Sequence, residues 1–188
     1  ASMIGNDALV RNLIENGADI ALTDTQGVAA LQIALLRAYN DSKYANLKLA
    51  AVYELLAPSN ISVKINEKLV KIDKRSMEYF LFQLMLALLH NKVFDKYFKY
   101  IPGFATCDFV DQLKYFPNTV LLDRRKKRSY ISSILSKNEI NRNDLYNRKL
   151  FMRTRTGHYI INPTLEIKTN MEWLNIYKSL GITLPIFE

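Results

Sequence analysis

Cysteine is almost missing from this chain, with one residue in 188, Cys107. A lone cysteine closes no internal disulfide, and neither a Cys-x-x-Cys pair nor a Cys/His cluster is there to hold zinc. A reducing compartment is expected, with Cys107 a small buried side chain. Histidine is nearly as scarce: His90 and His158 fall on separate elements without a metal-ligand spacing. There is no glycine-rich phosphate loop, no paired carboxylate motif and no nucleophile elbow. Asp108 and Asp111 stand three apart, a spacing that solvated helix faces carry constantly. The chain is therefore expected not to be an enzyme, and no cofactor or metal is implied. Long apolar runs are lacking too. The longest, YFLFQLMLALL from Tyr79 to Leu89, has 11 residues, against the roughly 20 that cross a bilayer. No membrane contact is expected, and without a basic and apolar leader pattern at the start the expected location is cytoplasmic.

What is present is enough apolar material for a core, 49% of residues against 23% charged, and a positive charge that is unevenly spread. Residues 1 to 60 carry 4 Lys/Arg against 6 Asp/Glu, while residues 61 to 188 carry 22 against 12, so the excess of +8 belongs to the second part. Between Arg124 and Arg155 there are 11 basic residues and two acids, Glu139 and Asp144. Charge of one sign at that density either solvates a surface or meets a polyanion.

In the first part, Leu9, Val10, Leu13 and Ile14 fall at helical spacing, and Gly17 suits a left-handed helix end. Asp24 and Gly27 supply turn chemistry ahead of a second helix with Leu31, Ile33, Ala34 and Leu35 inward. The positions Asn16, Gly17, Ala18, Asp19, then Asp24 and Gly27, then Ala29, Ala30, Leu31, Gln32 and Ala34 resemble an ankyrin repeat, with Ala29, Ala30 and Gln32 where that pattern has Thr, Pro and His. The resemblance implies paired helices that cap the rest of the chain or offer a surface to a protein partner. A further helix is predicted over about 42–57. In ISVKINEKLVKID, alternating Ile61, Val63 and Ile65 lead to an Asn66-Glu67 turn and a return strand.

In the second part, Ser76 is placed to cap a helix from Met77 to about Asn91 that is apolar on most faces. A loop with Pro102-Gly103 follows. A short helix with Phe109, Val110 and Leu113 on one side comes next, then a helix over about 123–137 with Tyr130, Ile131, Ile134 and Leu135 inward. KLFMRTRTGHYIINP closes the series as a hairpin about Thr156-Gly157. Three helices followed by a hairpin resemble a winged helix, a helix-turn-helix variant, and Phe151, Arg153, Gly157, Tyr159 and Ile161 match the hairpin pattern of bacterial winged-helix modules. The whole order is similar to uncharacterised bacterial proteins with ankyrin-like helices ahead of such a module. NMEWLNIYKSLG, with Met171, Trp173, Leu174, Ile176, Tyr177 and Leu180 in a helical distribution, is expected to form a last helix.

The expected fold is thus mostly α with small β-hairpins: an ankyrin-like unit over 1–74, a winged-helix domain over 75–168, and a C-terminal helix and tail over 169–188 that pack back on the core. The winged-helix resemblance implies nucleic-acid binding, with double-stranded DNA ahead of RNA. The expected contacts are Arg124, Arg125, Lys126, Lys127, Arg128, Ser129, Ser133 and Lys137 on the third helix, and Lys149, Arg153 and Arg155 on the hairpin. Ser132, Asn138 and His158 are further candidates. The competing reading is a protein-interaction scaffold whose basic surface docks an acidic protein.

Overall fold

The computed structural model describes residues 1–24, 27–89, 103–168 and 172–184. The expected elements at His90, Asn91, Pro102 and Met171, and the tail over 185–188, lie outside those residues.

After a 3-10 turn, helix α1 (Asp7–Glu15) starts where Asn6 accepts the Leu9 amide at 2.9 Å. It ends at Gly17, whose φ of 89° lets the Ala18 amide reach back to the Leu13 carbonyl. The Asp24 carboxylate takes the Val28 amide at 2.9 Å, and Gln32 takes the Ala29 amide at 2.7 Å, fixing the start of α2 (Ala30–Asn40). The helix expected over 42–57 is two, α3 (Ser42–Leu47) and α4 (Leu49–Leu56), interrupted at Lys48.

Strands β1 (Asn60–Ile65) and β2 (Lys68–Asp73) form the expected hairpin. Asn66 and Glu67 both adopt positive φ, 46° and 67°, the geometry whose twist suits a two-residue hairpin loop. Ser76 then accepts the Tyr79 amide and opens α5 (Met77–Leu89), in which every residue but Glu78 is buried. Helix α5 is the axis of a continuous apolar cluster that runs from Val10 to Tyr177.

Beyond it come β3 (Phe104–Ala105), α6 (Thr106–Leu113), a 3-10 turn over Asp123–Arg125, α7 (Arg128–Lys137), β4 (Phe151–Arg155), β5 (His158–Ile161), β6 (Glu166–Lys168), β7 (Trp173–Asn175) and α8 (Ile176–Ser179). Among the described residues the strands form two antiparallel sheets, one of four strands in the order β2-β1-β6-β7 and one of three in the order β3-β5-β4.

These sheets correct the expectation of a mostly α chain with small hairpins: helix and sheet share the core. The physical reason lies in strand length. Phe104–Ala105, Glu166–Lys168 and Trp173–Asn175 are two or three residues long, too short to display a period of two. Lys64 of β1 pairs with Glu166 of β6, which places residues a hundred apart in sequence side by side. Trp173 and Leu174, expected in a helix, stand on β7, and the helix that follows has four residues. Helix α8 comes close to the first part of the chain: a Cβ added to Gly27 would come 3.3 Å from the Ser179 carbonyl oxygen. Cys107 is exposed rather than buried, because α6 turns Phe109 and Leu113 inward and Cys107 away. Among the described residues no helix is long and apolar enough to cross a membrane.

Candidate nucleic-acid interface

The third helix of the second part begins five residues later than its sequence suggests. Asp123, Arg124 and Arg125 form a 3-10 turn, Lys126 and Lys127 lead out of it, and α7 starts at Arg128. The basic run thus approaches the helix rather than winding along it. Lys127 at the N-cap and Arg128 at the first position still sit on the positive end of the helix dipole, with no acid in the first turn to offset them.

Ile131 and Leu135 bury one side of α7. At 100° per residue the opposite side carries Ser129, Ser133, Ser136 and Lys137. Ser129 and Lys137 are exposed and Ser133 is half-buried. No carboxylate lies within the helix. The β4–β5 hairpin is held beside this stripe by three devices. Short β3 pairs with β5, Phe104 opposite Tyr159 and Ala105 opposite His158. Gly103, at φ 124°, admits that approach, since a Cβ there would sit 2.9 Å from Thr154 Oγ1 and 3.1 Å from the Tyr159 carbonyl oxygen. Arg153 on β4 reaches Ser136 Oγ of α7 at 3.4 Å.

The nine cations expected to meet a polyanion divide into two groups. Four are occupied within the fold. Lys126 Nζ donates to the Phe116 carbonyl at 2.6 Å and to Asp123 at 2.7 Å, and only 12% of its side chain is exposed. Arg125 donates to the Arg75 carbonyl at 2.6 Å. Lys149 Nζ donates to the Ile140 carbonyl at 2.8 Å. Arg153 sits 3.1 Å from the Glu139 carboxylate, which is 9% exposed, donates to the Tyr159 hydroxyl at 2.9 Å and lies over that ring. The other five are available. Arg124, Lys127, Arg128 and Lys137 are exposed and have no side-chain partner among the described residues, and Arg155 at the hairpin end is exposed beside His158.

His158 itself is set by its neighbours. Arg155 can only donate to Nε2, at 2.8 Å, so Nδ1 carries the proton given to the Thr156 carbonyl at 3.1 Å. This neutral tautomer orients Arg155 at the turn. Asn138 proves structural: buried, it donates to the Ile134 carbonyl at 3.0 Å and accepts the Arg148 amide at 3.2 Å. Ser132 is half-buried on the flank of α7.

The acids of this region are as informative as its bases. Asp123 is held by Lys126 and Asn118, which lower its carboxyl below the ordinary range. Glu139 faces Arg153, and Asp144 lies 2.9 Å from Arg142. Each carboxylate between 123 and 155 therefore has its own cation.

The loop between α7 and β4 holds residues that the basic run did not single out. Arg142 donates to Ser136 Oγ at 2.7 Å, so this loop borders the same stripe as the hairpin does. At its outer end Leu145 and Tyr146 are 86% and 87% exposed. Their one signal in the residues is an isolated apolar pair inside the polar stretch NRNDLYNRK. Compared with family models, with curated proteins and with solved structures, the chain matches none.

Proposed function

We propose that this chain binds nucleic acid, double-stranded DNA in particular, through the outward stripe of α7 and the cations that precede it, with the β4–β5 hairpin alongside. The observation that carries the reading is the pairing of every carboxylate between 123 and 155, which leaves Arg124, Lys127, Arg128, Lys137 and Arg155 as a surplus of one sign. Such a surplus attracts phosphates and gains from counterion release. Serine hydroxyls on the same stripe can donate to phosphate oxygens or base edges.

The winged-helix resemblance of residues 76–163 is supported by how the hairpin is mounted. Helices α5, α6 and α7 precede it, β3 fastens it to them, and Arg153 sets it beside α7. Backbone contact by the hairpin and groove contact by the helix follow from that placement.

The test is fluorescence anisotropy with a random-sequence duplex at low salt, using Lys127→Ala/Arg128→Ala/Lys137→Ala. These side chains are exposed, so the variant keeps its fold, checked by circular dichroism. The expected result is binding by the wild type and a loss of at least about a hundredfold in the variant, three phosphate contacts being removed. No binding by the wild type, or equal binding by both, overturns the proposal. Tighter binding of polyglutamate than of duplex would instead identify an acidic protein as the partner.

A further inference from the structure

The loop from Glu139 to Lys149 is long, polar and firmly held, and it points two large apolar side chains outward. Asn147 donates to the Glu139 carbonyl at 2.6 Å and the Arg142 carbonyl at 2.7 Å, and accepts the Lys149 amide at 2.7 Å. Arg142 ties the loop to Asp144 and to Ser136 on α7. Lys149 adopts φ 55°, strained for a side chain with a Cβ, and its ammonium holds the Ile140 carbonyl. So many bonds fix the backbone, yet Leu145 and Tyr146 remain 86% and 87% exposed. An ordered loop that holds a Leu-Tyr pair in water forgoes apolar burial that a floppier loop would find by folding over.

The surroundings indicate what meets the pair. Arg142 is paired with Asp144, Arg148 lies 3.9 Å from Glu78 and Lys149 holds the Ile140 carbonyl, so the loop's own charges are spent within the fold. Ser136 joins the loop to the outward stripe of α7 and through it to the cations that precede that helix. An apolar tip bordering the helix that the free cations lead into matches a polyanion that also offers flat apolar faces. Nucleic acid has both, in its phosphates and its bases. We propose that Leu145 and Tyr146 form a wedge that contacts base faces at a base step of the duplex bound by α7, opening the stack and bending the DNA. The inference rests on the nucleic-acid reading above. It adds an interaction of a different kind, apolar instead of ionic, on the same surface.

Salt separates the two. Removing a cation that binds phosphate makes affinity less steeply dependent on salt. Removing a side chain that stacks on bases weakens affinity and leaves that dependence unchanged, because stacking releases no counterions. The experiment uses the full chain and a duplex labelled at both ends, with anisotropy for affinity and energy transfer for end-to-end distance, across a salt series. Leu145→Ser/Tyr146→Ser is expected to bind roughly tenfold more weakly, the effect of taking away one stacked ring, with the wild-type salt slope and a straight duplex. Tyr146→Phe is expected to bind and bend as the wild type does, since stacking uses the ring and not the hydroxyl.

The proposal is overturned if the serine variant binds and bends the duplex like the wild type, or if its weakened binding comes with a shallower slope. Sedimentation adds one more outcome against it: a wild-type dimer that the serine substitutions dissolve would make the pair an interface between copies. Failure of the wild type to bind any duplex removes the nucleic-acid reading itself. Weakened binding in the Lys127/Arg128/Lys137 variant alone leaves that reading standing and refutes the wedge.

Discussion

Replacing Arg153 by alanine separates structural from binding cations most sharply. The Glu139 carboxylate is 9% exposed and has Arg153, at 3.1 Å, as its ion-pair partner, while the arginine side chain is 38% exposed. Removing one member of a fully buried pair costs about 3–5 kcal/mol, and an exposed pair is worth about 0–1 kcal/mol. This pair has one end in each environment, so Arg153→Ala is expected to destabilise by about 2 kcal/mol, a figure that includes the hydrogen bond and ring stacking it gives Tyr159. For a chain of this size that is a drop of about 4–8 °C in Tm. Glu139→Gln in the same background removes the stranded charge and should restore about 1 kcal/mol, a coupling that a double-mutant cycle reads directly. The assay is thermal and urea unfolding of the four proteins, with duplex affinity measured on the folded forms, where Arg153→Ala should stay within about threefold of the wild type because no phosphate contact is assigned to it. An unchanged stability together with a tenfold weaker affinity would refute the reasoning and return Arg153 to the interface.

Gly103→Ala should destabilise far more than Gly157→Ala: the first would press a Cβ against Thr154 and the Tyr159 backbone, while the second meets nothing within 4 Å and bears only the strain of a positive φ. Unfolding temperatures of the two variants check this, and equal decreases would contradict it. Stability should also fall at alkaline pH. Burial, followed by the Asp108 and Asp111 charges, pushes the Tyr39 phenol up to about 12, and burial does the same for Tyr44. The folded state thus keeps protons that the unfolded chain gives up near pH 10, so this contribution is whole below pH 10 and is lost as pH rises toward 12. Urea midpoints across that range should decline, with phenolate absorbance appearing as the chain unfolds, and a flat profile would refute it.

Local chemistry carried much of the fold into the sequence. The Asn66-Glu67 and Thr156-Gly157 turns, the Ser76 cap and the largely apolar α5 all rest on neighbours within a few residues. Strands β6 and β7 do not, because β6 is placed by β1 a hundred residues away and β7 is then added beside β6. The site divides in the same way. A dense basic run is visible in the residues, but which of its members are free depends on carbonyls and carboxylates brought in by folding. Lys126 and Lys127 are chemically identical neighbours. The first is gathered in by Phe116 and Asp123 and the second is left in solvent. Leu145 and Tyr146 show in the sequence only as an apolar pair in a polar stretch, because exposure is a property of the finished surface.

The central claim, that five exposed cations without a carboxylate partner meet phosphates while four others serve the fold, is tested most directly by the salt dependence of duplex binding. Five contacts predict a slope of log affinity against log salt of about −4.5, or a weakening of roughly 500-fold between about 50 and 200 mM salt. A slope near −8, with about a 10⁵-fold weakening, would mean that Arg125, Lys126, Lys149 and Arg153 leave their internal partners to bind. A slope near zero would mean that these cations do not meet a polyanion at all.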